Sequence, residues 1–280
     1  HLDYYHDLEH IVAAFAQYIR QVPADGFAVI CHDCPLLCGL EQEIPCRYIS
    51  YALDRPADYT AKNIVYLPLE YGGGVVADIF YQGLLLGRLQ LAVAGAHNIA
   101  NAMAAIAVGR ELGLSFSDCA RGLARFTGTG RRFELLGQFG RLRVVDDYAH
   151  HPTEIAATIR SARDQGSKNL FAVFQPHRYS RTASMYREFA AALLPADSVL
   201  LVELYPAFEQ PIPGVSAQLV VDELKRLGHG RVMYAASLEA GLACLRAEVK
   251  DEDMLLIMGA GNVRALGENY VRMREEEAHA

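Results

Sequence analysis

The chain has 280 residues, 52% of them hydrophobic, and a formal net charge of −7. That is enough apolar material for one large or two modest cores, and scattered Lys and Arg in an acidic balance give no basic stripe of the kind nucleic acid requires. No apolar run nears the roughly 18 residues of a membrane span and none reads as a signal peptide, so a cytoplasmic location is the expectation.

The first clear period covers residues 7–22, where Leu8, Ile11, Val12, Phe15, Ile19 and Val22 share one helical face. Pro23 to Gly26 break it, and 27–31 reads as a buried strand. Six cysteines stand at 31, 34, 38, 46, 119 and 244. Cys31-x-x-Cys34-x-x-x-Cys38 with Cys46 offers thiolates for zinc or an iron–sulfur cluster. The spacing is not that of paired Cys-x-x-Cys knuckles and the flanks are apolar, so reduced structural thiols are expected. Strands follow at 47–52 and 63–67, then a β-rich stretch over 75–93 that turns at Gln82-Gly83. An Ala-rich helix over 98–112 stops at Gly113, and Ser117 is placed to cap another reaching 126.

Gly128-Thr129-Gly130 is the candidate hinge between two domains, 1–128 and 129–280. Beyond it strand and helix alternate, with strands near 142–147, 169–174, 198–204, 231–235 and 253–258. Helices are expected near 152–164, 183–194, 216–227, 237–248 and 262–274. Such alternation predicts a parallel, doubly wound α/β sheet. Two polar clusters stand where strands give way to helices: Asp146-Asp147-Tyr148-Ala149-His150-His151-Pro152-Thr153-Glu154 and Gln175-Pro176-His177-Arg178-Tyr179-Ser180-Arg181-Thr182. Carboxyl ends of strands are where open α/β sheets bind ligands. If the two strands lie side by side, both clusters open on one edge; the plainer alternative is a pair of solvated loops.

These clusters resemble the C-terminal-domain motifs of the Mur ligase family, and Gly95-Ala96-His97-Asn98-Ile99-Ala100-Asn101 and Gly130-Arg131-Arg132-Phe133 match the same family in order. The resemblance implies part of a central ATP-binding domain followed by a Rossmann-like doubly wound C-terminal domain. It also implies a two-step reaction: ATP phosphorylates the carboxylate of UDP-N-acetylmuramate, and the amine of L-alanine attacks the acyl phosphate. The Gln-Pro-His-Arg-Tyr-Ser-Arg loop favours that alanine-adding branch over the murein-peptide-adding one.

Asn98 and Asn101 share a helix face, where their amides can read a purine or simply cap the helix; the resemblance implies adenine contact for them and for His97. Arg131-Arg132 follows the hinge, where a guanidinium can clamp a phosphoryl group or be no more than a surface pair. The resemblance implies nucleotide phosphate for Arg132 and the ribose or phosphate side for Asp147. It places Tyr148, His150, His177, Arg178 and Arg181 on the acceptor side, with His150, His177 and Arg178 as the catalytic candidates. An imidazole can take the ammonium proton near neutral pH, and the choice between the two histidines stays open. His1 would hold a magnesium ion that accompanies ATP.

Departures matter as much. None of the four lysines, at 62, 168, 225 and 250, follows a glycine, so the family's Gly-Lys-Thr/Ser phosphate loop is not in these residues. The family's N-terminal domain is also unmatched, and the chain starts at His1 without methionine. A fragment, inactive by itself, is therefore the expectation. Gly259-Ala260-Gly261-Asn262-Val263-Arg264 fails the dinucleotide fingerprint at its third glycine, which argues against an oxidoreductase and for a tight strand-to-helix turn. A non-catalytic nucleotide-binding module is the remaining alternative. Tyr205 to Ile212 also resembles a family loop, with no role assigned. Oligomeric state is left open.

Overall fold

A computed structural model describes residues 4–67, 73–250 and 254–279. The chain divides into two compact units, His1–Thr127 and Gly128–Ala280. No helix among the described residues is long and apolar enough to cross a membrane.

In the first unit, α1 (Leu8–Ile19) starts at Asp7, whose side chain accepts from the His10 N–H at 2.7 Å, the usual answer to an orphaned first-turn donor. β1 (Phe27–Cys31), β2 (Arg47–Ala52) and β3 (Tyr59–Tyr66) pair in parallel, and β4 (Val75–Tyr81) and β5 (Leu84–Leu91) return antiparallel. Between β1 and β2 lie the short α2 (Pro35–Cys38) and a 3-10 turn at Glu41–Glu43. α3 (Ala96–Glu111) covers the sheet with Ile99, Met103, Ile106 and Ala107, all fully buried. Two local expectations are corrected. β3 starts at Tyr59 and not 63, because Asn63, at φ +51°, sits in a bulge between Lys62 and Val65 that interrupts the pairing. Ser115, not Ser117, caps α4 (Phe116–Leu123) by accepting from the Asp118 N–H.

The second unit holds β6 (Glu134–Phe139), β7 (Leu142–Asp147), β8 (Leu170–Phe174), β9 (Ser198–Val202), β10 (Val232–Ala235) and β11 (Met254–Met258) in the order β10-β9-β8-β11-β7-β6. All are parallel except β6, which pairs antiparallel with β7. Helices α5 (Pro152–Asp164), α6 (Tyr179–Leu193), α7 (Gln218–Arg226), α8 (Leu238–Glu248) and α9 (Arg264–His279) complete it. Alternate residues of the parallel strands meet different helices. Val144, Val173, Leu200 and Ile257 pack with Leu245, Leu266 and Tyr270 of α8 and α9, whereas the Phe174 ring lies 5.1 Å from Phe189 of α6. Covered on both faces, β8, β9 and β11 are buried at every position. This is the expected α/β, doubly wound architecture.

Two long-range features differ from the sequence reading. β7 and β8 are not neighbours: β11 inserts between them and pairs in parallel with both. Because all three run the same way, their carboxyl ends still open on one edge, with the Gly259 loop between the two polar clusters. β6 was not anticipated, since Glu134-Leu135-Leu136-Gly137-Gln138-Phe139 has no period-2 pattern and is bulged at Leu135/Gly137.

Candidate functional site

The edge begins with two adjacent aspartates in different surroundings. Asp146 is fully buried, and its Oδ2 accepts from Arg131 Nε at 3.3 Å and Arg264 Nη1 at 3.0 Å. Burial raises its pKa above the usual carboxylate value, against the pull of those two cations. Arg264 also binds Glu134 through both outer nitrogens, at 2.7 and 3.1 Å; that contact, with the Arg131 N–H, holds Glu134 down to about 2. Asp147 is 6% exposed. Its Oδ1 accepts from the Ala149 N–H and its Oδ2 from the Phe133 N–H, each at 2.8 Å. The carboxylate thus ties the Arg131–Arg132 segment to the strand end, and burial raises its pKa in opposition to those donors.

The two arginines have separate fates. Arg131, at φ +60°, is pinned: beyond Asp146, its Nη2 donates to the Gly259 carbonyl at 2.7 Å and its N–H to Glu134 at 2.6 Å. Arg132 is 52% exposed and 3.6 Å from Glu154. Both guanidiniums lie over the Tyr148 ring, at 4.8 and 5.6 Å. The Tyr148 ring meets His150 edge-on at 5.2 Å, and His150 meets His177 at 6.0 Å. His150 Nδ1 is 2.9 Å from the Tyr148 carbonyl. A carbonyl only accepts, so Nδ1 is the donor in that contact, and Glu154 Oε2 lies 3.3 Å from the same nitrogen. Glu154 accepts from the His150 and His151 N–H groups at 3.0 and 3.2 Å and closes the start of α5.

At the end of β8 the second cluster proves to be half helix. α6 starts at Tyr179, so Arg181 and Thr182 lie in its first turn, and Arg181 is buried at 8% exposure. The expectation of a start at 183 failed because the cap comes from a remote loop: Glu209 accepts from Ser180 N and Oγ at 3.0 and 2.6 Å. Arg178 holds φ +72°, a left-handed conformation strained for a side-chain-bearing residue. Its N–H donates to the Tyr205 carbonyl at 2.8 Å and its carbonyl accepts from the Thr182 N–H and hydroxyl. The His177 ring stacks on Tyr205 at 5.6 Å and 11°. Its Nδ1 is buried with no hydrogen-bond partner. Burial, then the Arg181, His150 and Arg178 neighbours, push its pKa down to about 4, so the imidazole is neutral at pH 7.

The sequence reading missed what joins the clusters. Gln175 donates to Asn262 Oδ1 at 3.0 Å and accepts from the Val263 N–H at 3.2 Å. A Cβ at Gly261 would stand 2.5 Å from Gln175 Oε1 and 2.6 Å from Tyr205, so only glycine permits this approach. Arg264, which spoiled the dinucleotide fingerprint, is the residue that neutralises Asp146 and Glu134. Glu209 and Tyr205 belong to the loop that carried a resemblance without a role.

In the first unit, α3 presents the three remaining candidates. Gly95 is the N-cap, so Asn98 is not; its Nδ2 donates to the Ala94 carbonyl at 2.6 Å and Asn101 Nδ2 lies 3.5 Å from its Oδ1. His97 and Asn101 are exposed. His1, the expected metal ligand, lies outside the described residues.

Comparison with known proteins gives a consistent result. Residues 131–261 match the Mur ligase glutamate ligase domain and residues 1–109 the Mur ligase middle domain. A UDP-N-acetylmuramate–L-alanine ligase of Pelotomaculum thermopropionicum is 42% identical over 99% of the chain and 59% of that protein. The crystal structure of a UDP-N-acetylmuramate–alanine ligase from Thermotoga maritima superposes with a TM-score of 0.78 at 24% identity, over 99% of this chain and 57% of the other. A MurF ligase of the same organism, in complex with ADP, gives 0.74 at 19% identity over 100% and 60%. The chain thus spans 57–60% of the length of these proteins, and the solved structures speak for the fold alone.

Proposed function

The chain belongs to the Mur ligase family, of which it carries middle and C-terminal domain sequence, and from that premise we propose that it is the part of an ATP-dependent amide-forming ligase that joins L-alanine to UDP-N-acetylmuramate in peptidoglycan synthesis. The observation that carries the reading is 42% identity, along 99% of the chain, to a protein named for that reaction. The geometry supports it: one sheet edge gathers Arg132, Tyr148, His150, His177, Arg178 and Arg181. We take 1–128 as the remainder of the ATP-binding domain and 129–280 as the C-terminal domain. A cytoplasmic setting goes with that role.

In this reading the γ-phosphoryl of ATP passes to the carboxylate oxygen and ADP leaves. The alanine nitrogen then forms the C–N bond as phosphate departs. Negative charge develops on oxygen in both steps, so fixed cations lower the barrier. His97, Asn98 and Asn101 take the adenine. Arg132, held by its Tyr148 contact, reaches the phosphates, and Asp147 acts by fixing the segment that carries it. Arg178, locked in a strained backbone, aims at the reacting carboxylate or phosphate with Arg181 behind it. His150, its ring fixed by the Nδ1 contact to the Tyr148 carbonyl, is taken as the base for the alanine ammonium. His177, at about 4, has a lone pair but little driving force at pH 7, and its orphaned Nδ1 fits a contact to the ligand.

ATP in such chemistry travels with magnesium, which prefers oxygen ligands. The edge carboxylates do not fit a magnesium site: both Asp147 oxygens accept backbone N–H groups, and Asp146 and Glu134 hold guanidiniums.

The test is a chimera in which this chain replaces the matching 59% of the Pelotomaculum relative. Phosphate release that requires both L-alanine and UDP-N-acetylmuramate is the expected result. A folded chimera that releases none with L-alanine, or that responds only to a murein peptide, contradicts it. The 280 residues assayed alone, without a Gly-Lys-Thr/Ser loop, are the control expected to be silent.

A further inference from the structure

In the first unit, the connection between β1 and β2 folds three unlike ligand types onto one point. His32 follows β1, Cys38 ends α2, and Glu41 opens the 3-10 turn. One ligand atom from each lies within 4.8 Å of the others, and among the described residues this is the group of His, Cys, Asp or Glu spaced for a single ion. All three side chains are half-buried.

The imidazole shows why the cluster is unbalanced as it stands. His32 Nδ1 is 3.1 Å from the Pro56 carbonyl, which can only accept, so the proton sits on Nδ1 and Nε2 presents a lone pair. Nε2 lies 3.0 Å from Glu41 Oε1, yet it is buried and makes no hydrogen bond. Two electron-rich atoms at that distance require a cation between them: a proton on Nε2 or a metal. The supporting shell is that of a metal ligand set. A backbone carbonyl fixes the histidine tautomer, and the Tyr48 hydroxyl donates to the other Glu41 oxygen at 2.7 Å, the two devices that orient ligating imidazole and carboxylate. Cys38 Sγ has only a weak contact to the His32 carbonyl, at 3.4 Å, which leaves the sulfur able to turn.

We propose that His32 Nε2, Cys38 Sγ and Glu41 Oε1 bind a borderline-soft divalent cation of the zinc class. A thiolate with an imidazole and a carboxylate is a donor set for Zn²⁺ and not for Mg²⁺. With metal–ligand distances of about 2.0–2.3 Å, tetrahedral ligand atoms stand about 3.4–3.6 Å apart, so Nε2 and Oε1, at 3.0 Å, part slightly and Sγ swings in from no more than 4.8 Å. Binding deprotonates Cys38, and that proton goes to solvent. The fourth position is left to water, and the bound ion staples the β1–β2 connection to itself.

The experiment titrates the reduced, metal-free 280-residue chain with Zn²⁺ against a chromophoric chelator and repeats it with Co²⁺. Expected are one ion per chain, a thiolate-to-cobalt charge-transfer band, and a rise in unfolding temperature on Zn²⁺ addition. Cys38→Ser and His32→Gln should each weaken binding by about 100-fold or more and remove the band or its tetrahedral spectrum, while Tyr48→Phe should weaken it by about 10–100-fold. Cys31→Ser, Cys34→Ser and Cys46→Ser should leave it intact, and circular dichroism confirms that each variant is folded. No stoichiometric Zn²⁺, binding that survives Cys38→Ser and His32→Gln, or binding lost on replacing another cysteine would each overturn the proposal.

Discussion

The carboxyl edge of the second sheet carries two charged regions that differ in how closely their charges are paired. Around β7 and the start of α9, Arg131, Arg264, Asp146 and Glu134 close on one another, and the Arg264 contact holds Glu134 down to about 2. Around β8 the balance tilts toward cations: burial together with Arg181, His150 and Arg178 drives His177 down to about 4, with Glu209 the opposing carboxylate and 3.9 Å from Arg178. The first region spends its charge on architecture; the second gathers more cations than carboxylates around a neutral imidazole, a setting that suits an anionic ligand. Residue type alone does not separate the two, since both are built from arginines and their neighbours on the same sheet edge.

The comparison is broken most easily at Arg178. In the active chimera, Arg178→Ala should lower kcat by about 10²–10³, the usual loss of a donor aimed at developing charge, about 2.7–4 kcal/mol, with little change in the urea midpoint. Unchanged kcat and KM would take Arg178 out of the site. The paired region should answer the other way. Arg264→Ala leaves a buried Asp146 with Arg131 alone, and removal of one member of a buried pair costs about 3 kcal/mol or more. A fall in urea midpoint at constant slope reads that loss, and an undiminished midpoint would show that Arg131 suffices.

A smaller effect sharpens the contrast in pH. An unfolded histidine takes its proton near 6.5, whereas folded His177 resists until about 4. Its contribution to stability is whole above the unfolded value and is lost as pH falls from about 6.5 toward about 4, because only the unfolded state binds the proton in that window. His177→Phe, which keeps a ring to stack on Tyr205, should flatten that part of the stability curve; an unchanged slope would mean that His177 is not held neutral.

How far the sequence led depends on where each feature has its cause. The 142–147 and 152–164 spans coincide with β7 and α5 because a β-branched run, Pro152 and Glu154 carry the signal locally. α6 was set four residues late, since its cap, Glu209, arrives from 29 positions away. The insertion of β11 between β7 and β8 is a choice of strand partner that no local pattern encodes. The same division holds for the site. Tyr148, His150, His177 and Arg178 stand out as unusual residues at strand ends, and Arg132 through its place after the glycine-rich hinge. Arg264 acts on Glu134 and Asp146 across 130 and 118 positions, so its role was invisible, and Gly261 gained its meaning only from the closeness of Gln175 and Tyr205.

The most direct measurement sets the neighbours Arg131 and Arg132 against each other, since they share a motif, a charge and the Tyr148 ring. For Arg131→Ala and Arg132→Ala chimeras, the urea midpoint and the KM for ATP are recorded side by side. Arg132→Ala should keep stability within about 0.5 kcal/mol and raise the KM for ATP by about tenfold or more, as loss of a charge-assisted bond of about 1.5–3 kcal/mol requires. Arg131→Ala should lower the midpoint sharply while whatever remains folded keeps its affinity. The reverse pattern, or two variants that behave alike, would contradict the division between charges that hold the fold and charges that hold the ligand.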